Sequence, residues 1–318
     1  MSLMNEAAIT DAERWEDIPK VYSLPQKIWR GLAFFVRRKP LGAFGAVLLL
    51  TPVIASIFGP GFSLIGPIEF PRLTPYGYNE YELNKDILLN PSLTHPMGTD
   101  HLGRDLFSRL LYGGRLSFAI GWSVYALSSL MSISLTIISA YYIRTVDLLL
   151  QRVVEIVNFL PDIILIITLF SIYGANPITL ILTLAVLRGF DTGRVLRSVV
   201  IGVKTMPFIE AAKTLGASDG RIIRKHIFPQ IAYLIIVYAT GALASAVLIE
   251  SGLAILGVGL DPTYPTFGNL LNGSRQYLRT APHLALFPGL VIFMLLLGAR
   301  LLGDALRDVL DPRLRGSK

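Results

Sequence analysis

The chain has 318 residues, of which 53% are hydrophobic and 16% charged, with a formal charge of +7 and no cysteine. Soluble domains carry about 25% charged residues, so this deficit and a mean hydropathy of +0.57 argue for a bilayer as the solvent. The lack of cysteine excludes disulfides, zinc–thiolate sites and a thiol nucleophile, and the basic balance fits loops facing anionic lipid better than it fits nucleic acid.

Residues 1–40 mix acids, bases and proline before the first apolar run, which lies too deep for a cleavable signal. They are expected to form a cytoplasmic N-terminal segment. Six apolar segments follow, near 41–62, 116–143, 153–173, 177–190, 231–252 and 284–303. A spanning helix needs about 20 residues, so the expectation is an all-α polytopic membrane protein with six transmembrane helices. The fourth segment is short, and Pro177 suits its first turn.

The connections between the segments set the orientation. Lys and Arg number 22 in residues 1–40, 144–152, 188–230 and 300–318, against 7 in the alternate connections. The richer set belongs on the cytoplasmic side. Both termini and the 188–230 loop are therefore expected inside, with a tail at 305–318. The 63–115 loop is expected outside, and the remaining core covers 116–304.

Within the outer loop, "HPMGTDHLGRDLFSRLLYGG" (95–114) reads as an amphipathic surface helix. Thr99 or Asp100 would cap it, Leu102, Leu106, Phe107, Leu110 and Leu111 would form its apolar face, and Asp105 and Arg109 would pair at i,i+4. Gly113–Gly114 would stop it. His95, Asp100, His101 and Asp105 are metal-ligating residue types, but capping already accounts for the acids.

Further on, "VVEIVNFLPDIIL" (153–165) places Glu155, Asn158 and Asp162 at i, i+3 and i+7, one stripe of a helix. A carboxylate at membrane depth costs about 2.5–3.5 kcal/mol on insertion scales, so it should face protein or water. Two readings are open: a pore-lining stripe that favours a positive amine, or a helix–helix hydrogen bond near a kink at Pro161.

"EAAKTLGASDGRIIRKHIFPQI" (210–231) runs polar and basic between two apolar segments. Thr205 and Pro207 give helix-start signals. Phe208, Ile209, Ala212 and Leu215 are expected to share one side, Gly216 to adopt a left-handed cap, and Ser218 to cap a second helix with Asp219 in its first turn. Arg221, Arg224, Lys225 and His226 follow before Pro229. Spacing alone fits either a rigid force-transmitting helix or a surface helix with snorkelling bases. No HExxH, CxxC or GxxxxGK[ST] pattern occurs anywhere, so catalysis and ATP hydrolysis by those routes are absent. Glycine-rich "GVGLDP" (257–262) reads as a turn, and the Glu250 carboxylate before it as a structural partner.

The 210–229 segment resembles the EAA loop of ABC-importer permeases through Glu210-Ala211-Ala212, Gly216, Ile227 and Pro229. From about residue 40 to 315, this motif together with "HPMGTDHLGRDLFSRLLYGGRLSFAIG", "LGVGLDPTYPTFGNLL" and "YLRTAPHLALFPGLVIF" is similar to the second permease subunit of dipeptide/oligopeptide and nickel importers. The chain departs from that family at "YIRTVD" (142–147) and at Phe267–Gly268, where a Trp–Gly pair is usual. Glu155 matches a common acidic position and Asp162 does not.

The resemblance implies an ABC type I importer permease fold, a prokaryotic inner-membrane location and a non-catalytic subunit that forms half of a pore for di- or oligopeptides. The same architecture serves nickel chelates, glutathione and oligosaccharides. The implied partners are a second homologous permease, one or two ABC ATPases and an extracytoplasmic solute-binding protein, in contact with membrane lipid. The chain itself would hold no cofactor, with ATP and Mg bound by the ATPases. Glu210, Ala211, Ala212, Leu215, Gly216, Ala217 and Ser218 would face an ATPase. A secondary transporter or channel using charges such as Asp162 is the different-class alternative, but no matching polar pair in an inverted second half supports it.

Overall fold

A computed structural model describes residues 33, 35–63, 69–70, 73–80, 86–142 and 144–310. Most of segment 1–40 and the end of the 305–318 tail lie outside the described residues. The fold is almost wholly helical. Its elements are α1 (Pro40–Phe58), a two-residue antiparallel pair β1 (Phe62–Ser63) and β2 (Glu69–Phe70), and α2 (Leu106–Thr136), which is prolonged by a π-helical turn at Ile137–Tyr142. They continue with α3 (Arg144–Phe159), α4 (Asp162–Tyr173), α5 (Pro177–Lys204), α6 (Pro207–Thr214) and α7 (Asp219–Ile222). A π turn at Ile223–Ile227 leads into α8 (Phe228–Ile255), followed by α9 (Phe267–Ser274) and α10 (His283–Leu310).

Among the described residues, four helical stretches are long and apolar enough to cross a membrane: Pro40–Phe58, Leu106–Tyr141, Asp219–Ile255 and His283–Leu310. The bent pair α3–α4 makes a fifth if counted as one crossing. α5 has the length of a sixth, with 28 residues, but carries Arg188, Asp191, Arg194 and Arg197 in its body. The chain therefore stays helical through 188–204, where the charge count places the start of a loop. Within this helix Arg188 and Arg197 pair with carboxylates on α3, α4 and α5.

The outer loop departs from expectation. Asp105, not Thr99 or Asp100, caps α2 by accepting the Ser108 amide at 2.7 Å. Asp100 instead folds the preceding turn, accepting the amides of Leu102 and Arg104 and the Arg104 Nε. Asp105 also pairs with His95 at 3.0 Å, and Arg109 lies 3.6 Å from Asp100. No separate surface helix forms among the described residues of this loop, because α2 runs straight through Gly113–Gly114. Those glycines permit close packing: a Cβ on Gly113 would sit 1.5 Å from the Pro265 carbonyl oxygen, and one on Gly114 would sit 2.0 Å from Ser56 Oγ. The pair marks a helix crossing, not a stop.

Three apolar clusters tie the described helices together. One joins Leu49 and Val53 of α1 to Phe118 of α2, Val247 of α8, Phe267 of α9 and Leu295 of α10. Phe118 and Phe267 meet edge to face at 5.7 Å, so the Phe that stands in place of Trp is a core residue. A second cluster joins Val124 of α2, Ile166 of α4, Leu184 of α5 and Leu253 of α8. The third gathers Tyr141, Val200, Ile209, Ile222, Ile227 and Ile231 at the α6 end. The π turn just before Pro229 relieves the clash that a proline ring makes with the preceding turn, so helicity continues from Asp219 to Ile255.

Candidate functional site: the α6 hairpin and the polar groove

The α6 hairpin is defined by its capping. The Gly216 amide bonds the Lys213 carbonyl at 2.9 Å, the Ala217 amide bonds the Ala212 carbonyl at 3.0 Å, and Gly216 has φ +77. This is the Schellman arrangement, and it needs a left-handed residue at that position. No neighbour lies within 4 Å of a Cβ built there, so backbone conformation alone favours glycine. Ser218 occupies the next N-cap position but makes no side-chain cap bond.

One expectation is corrected within this hairpin: Phe208, Ile209, Ala212 and Leu215 do not share a side. Ile209 is fully buried in the third cluster, whereas Leu215, just past the helix end, is 88% exposed and Phe208 is exposed. Glu210, Ala211, Gly216 and Ser218 are exposed too, with Ala212 and Ala217 half-buried. The hairpin thus buries Ile209 and Ile222 in the bundle and offers a thin surface tipped by a leucine.

Polar bonds fix the hairpin to the helix ends. Tyr141 of the π turn donates its hydroxyl to Asp219 at 2.7 Å. Lys204 donates to the Tyr141 carbonyl at 2.6 Å, with its ammonium 5.2 Å from the Tyr141 ring centre. Arg197 of α5 grips Asp147 of α3 with two bonds of 2.5 Å. These bonds link the π turn after α2 to α7 and to the end of α5, and α5 in turn to α3. Tyr141, Lys204 and Asp147 carry no motif signal, because their partners lie 50 to 78 residues away.

The stripe of Glu155, Asn158 and Asp162 is broken. α3 and α4 meet at 88° across Leu160–Pro161. Glu155 is exposed and pairs with Arg152 at 2.7 Å. Asp162 pairs with Arg188 of α5 at 2.5 Å, and Asn158 donates to Asp191 at 3.3 Å. The inter-helix hydrogen bond near Pro161 is thus present. Arg188 and Asp191 carry no motif of their own in the sequence. They line a groove of about 370 Å³ between α2, α5 and α8.

At the other end of α8, Glu250 is buried and accepts the Thr266 hydroxyl at 2.6 Å, which ties α8 to α9. That fits the structural pairing expected for it. Gly257, with φ +80, turns the chain after α8, and Asp261 then accepts both the amide and the hydroxyl of Thr263.

A bundle of helices long and apolar enough to cross a membrane, with a capped hairpin and paired charges, has the build of a polytopic membrane protein. Comparison with known proteins makes this specific. Residues 132–316 match the family described as binding-protein-dependent transport system inner membrane component, and the chain belongs to that family of ABC transporter permease subunits. It is 34% identical over 287 residues to the dipeptide transport system permease protein DppC of Alkalihalophilus pseudofirmus, covering 90% of each chain. It is 31% identical over 280 residues to the glutathione transport system permease protein GsiD of Escherichia coli O6:K15:H31, covering 88% of this chain and 89% of that one. The GsiD of Pectobacterium atrosepticum is 33% identical over 243 residues, covering 76% and 81%. Membership implies, in general terms, ATPase and binding-protein partners and an inner-membrane setting.

Proposed function

We propose that the chain forms half of the translocation pore of an importer for di- and oligopeptides, with six crossings and both termini on the cytoplasmic side. The names of the relatives support the substrate class: one is a dipeptide permease, and glutathione is itself a tripeptide. A second, homologous permease completes the pore, and an extracytoplasmic binding protein delivers the peptide from the side of the 63–115 loop. The chain holds no cofactor and performs no catalysis. ATP and Mg are bound by one or two ATPase subunits.

Residues Glu210, Ala211, Ala212, Leu215, Gly216, Ala217 and Ser218 are the ATPase-docking surface. The observation that carries this role is the contrast between Ile209, with 0% exposure, and Leu215, with 88%. A surface helix held by snorkelling bases would turn its apolar residues one way, whereas here one is sealed into the bundle and the other is presented beyond it. When the ATPases close on ATP, the hairpin moves and the helices bonded to it rock, opening the pore outward and then inward. Reconstituted complex tests the coupling. Gly216→Val forces a β-branched residue into a left-handed conformation and should lower uptake per ATP hydrolysed. Unchanged coupling would remove the hairpin from the mechanism.

A further inference from the structure

The described helices expose two kinds of face. α1 presents Leu41, Phe44, Val47, Leu50 and Ile54, a surface suited to lipid. The groove between α2, α5 and α8 presents Tyr125, Ser129, Arg188, Asp191, Thr192 and Ser245. Arg188 is the twelfth residue of α5, about 17 Å along its axis at the helical rise. Charges at that depth cannot face hydrocarbon, so the open side of this groove meets water or protein.

The charges in the groove are not balanced. Arg188 binds Asp162 at 2.5 Å but Asp191 at 3.2 Å, and Asn158 reaches Asp191 at 3.3 Å. Two carboxylates therefore share one guanidinium, leaving a net charge of −1. Asp162 holds the shorter bond and bridges the α3–α4 bend to α5. Asp191 is held by longer bonds, its side chain is 45% exposed, and a carboxylate can accept about four hydrogen bonds, so it retains free acceptor sites. Arg194, on the next turn, lines a different hollow with Gln151 and Val154.

We propose that Asp191 is the side chain in this groove that receives the side-chain ammonium of a lysine-bearing peptide as it crosses, while Arg188 and Asp162 position it. The inference rests on the peptide reading above: the N-terminal ammonium is common to all peptides, so the side-chain charge is what the groove can select. It selects for cationic over anionic peptides after the binding protein has released them.

The test compares uptake of Ala-Lys and Ala-Glu by the full complex in proteoliposomes, with binding protein and ATPases unchanged throughout. Any change in the uptake ratio then arises in the permease. D191N should lower the Ala-Lys to Ala-Glu ratio about tenfold, the scale of one unit charge in a partly hydrated groove, and D191E should restore it. A ratio unchanged in an active D191N complex would overturn the proposal. If D191N fails to assemble, S129K adds a positive charge on the α2 wall of the same groove and leaves Arg188, Asp162 and Asp191 unsubstituted. It too must lower the ratio, and an unchanged ratio again overturns the role of the groove. A wild-type complex that imports another solute but neither peptide would defeat the substrate reading itself, and this inference with it.

Discussion

Leu215→Ala should weaken the hold of the ATPase subunits on the permease while leaving the permease folded. Burying a leucine side chain contributes about 1.5–3 kcal/mol. Leu215 leaves 88% of its surface open in this chain, so nearly all of that contribution remains for a partner. Truncation should remove about 2 kcal/mol, or about a thirtyfold loss of affinity. The buried neighbour gives the opposite signature: Ile209→Ala removes packing from the cluster of Val200, Ile222, Ile227 and Ile231 and should cost about 2–5 kcal/mol of stability. The assay titrates ATPase subunits onto the permease pair in nanodiscs and follows thermal unfolding in parallel. Equal ATPase affinity for wild type and Leu215→Ala would refute the assignment of the outward surface, whatever happened at Ile209.

Four other outcomes follow from the geometry. Gly113→Ala places a Cβ against the Pro265 carbonyl and should destabilise the fold by about 1–3 kcal/mol, read as a lower unfolding midpoint. Tyr141→Phe deletes the bond to Asp219 and should cost about 1 kcal/mol while reducing solute imported per ATP; full coupling would show that α2 does not need that link. Arg197→Ala strands the Asp147 carboxylate and should cost about 1–3 kcal/mol, part of which Asp147→Asn in the same chain should recover; a double mutant as unstable as the sum of the two would contradict the pairing. The Thr263 hydroxyl and amide hold Asp261 below its ordinary value of 3.8, so its contribution to the α8–α9 turn is present above that pH and lost as pH falls through the lower folded value. In Thr263→Ala the turn should loosen at a higher pH than in wild type, measured by proteolysis of the 256–266 loop.

The parts of this architecture written in local spacing are legible in the sequence. Gly216 ends α6 through backbone geometry, and the Schellman bonds reach only to Lys213 and Ala212. A glycine just past a short helical run therefore announces the stop without tertiary information. Apolar length likewise announces α1, α2, α8 and α10. What the sequence hides depends on partners distant along the chain. Gly113–Gly114 looks the same whether it ends a helix or admits Pro265 and Ser56 against one, and only the fold decides. Charges on α5 suggest that the span has ended, since their partners Asp162 and Asp147 lie 26 and 50 residues away. The same distance conceals Asp191: reading 153–165 as one continuous helix draws attention to Asp162, and the 88° bend turns that residue into a brace for Arg188.

Because the chain contains no cysteine, a single introduced thiol reports its position without background. Leu215→Cys in the assembled transporter, treated with a short bifunctional thiol reagent against single-cysteine ATPase variants, measures whether the hairpin meets the ATPase. A cross-linked permease–ATPase band whose yield changes between nucleotide-free and ATP-bound states is the expected result. Absence of any cross-link across the ATPase surface, or labelling of Leu215→Cys by an impermeant reagent from the binding-protein side, would contradict the proposed coupling.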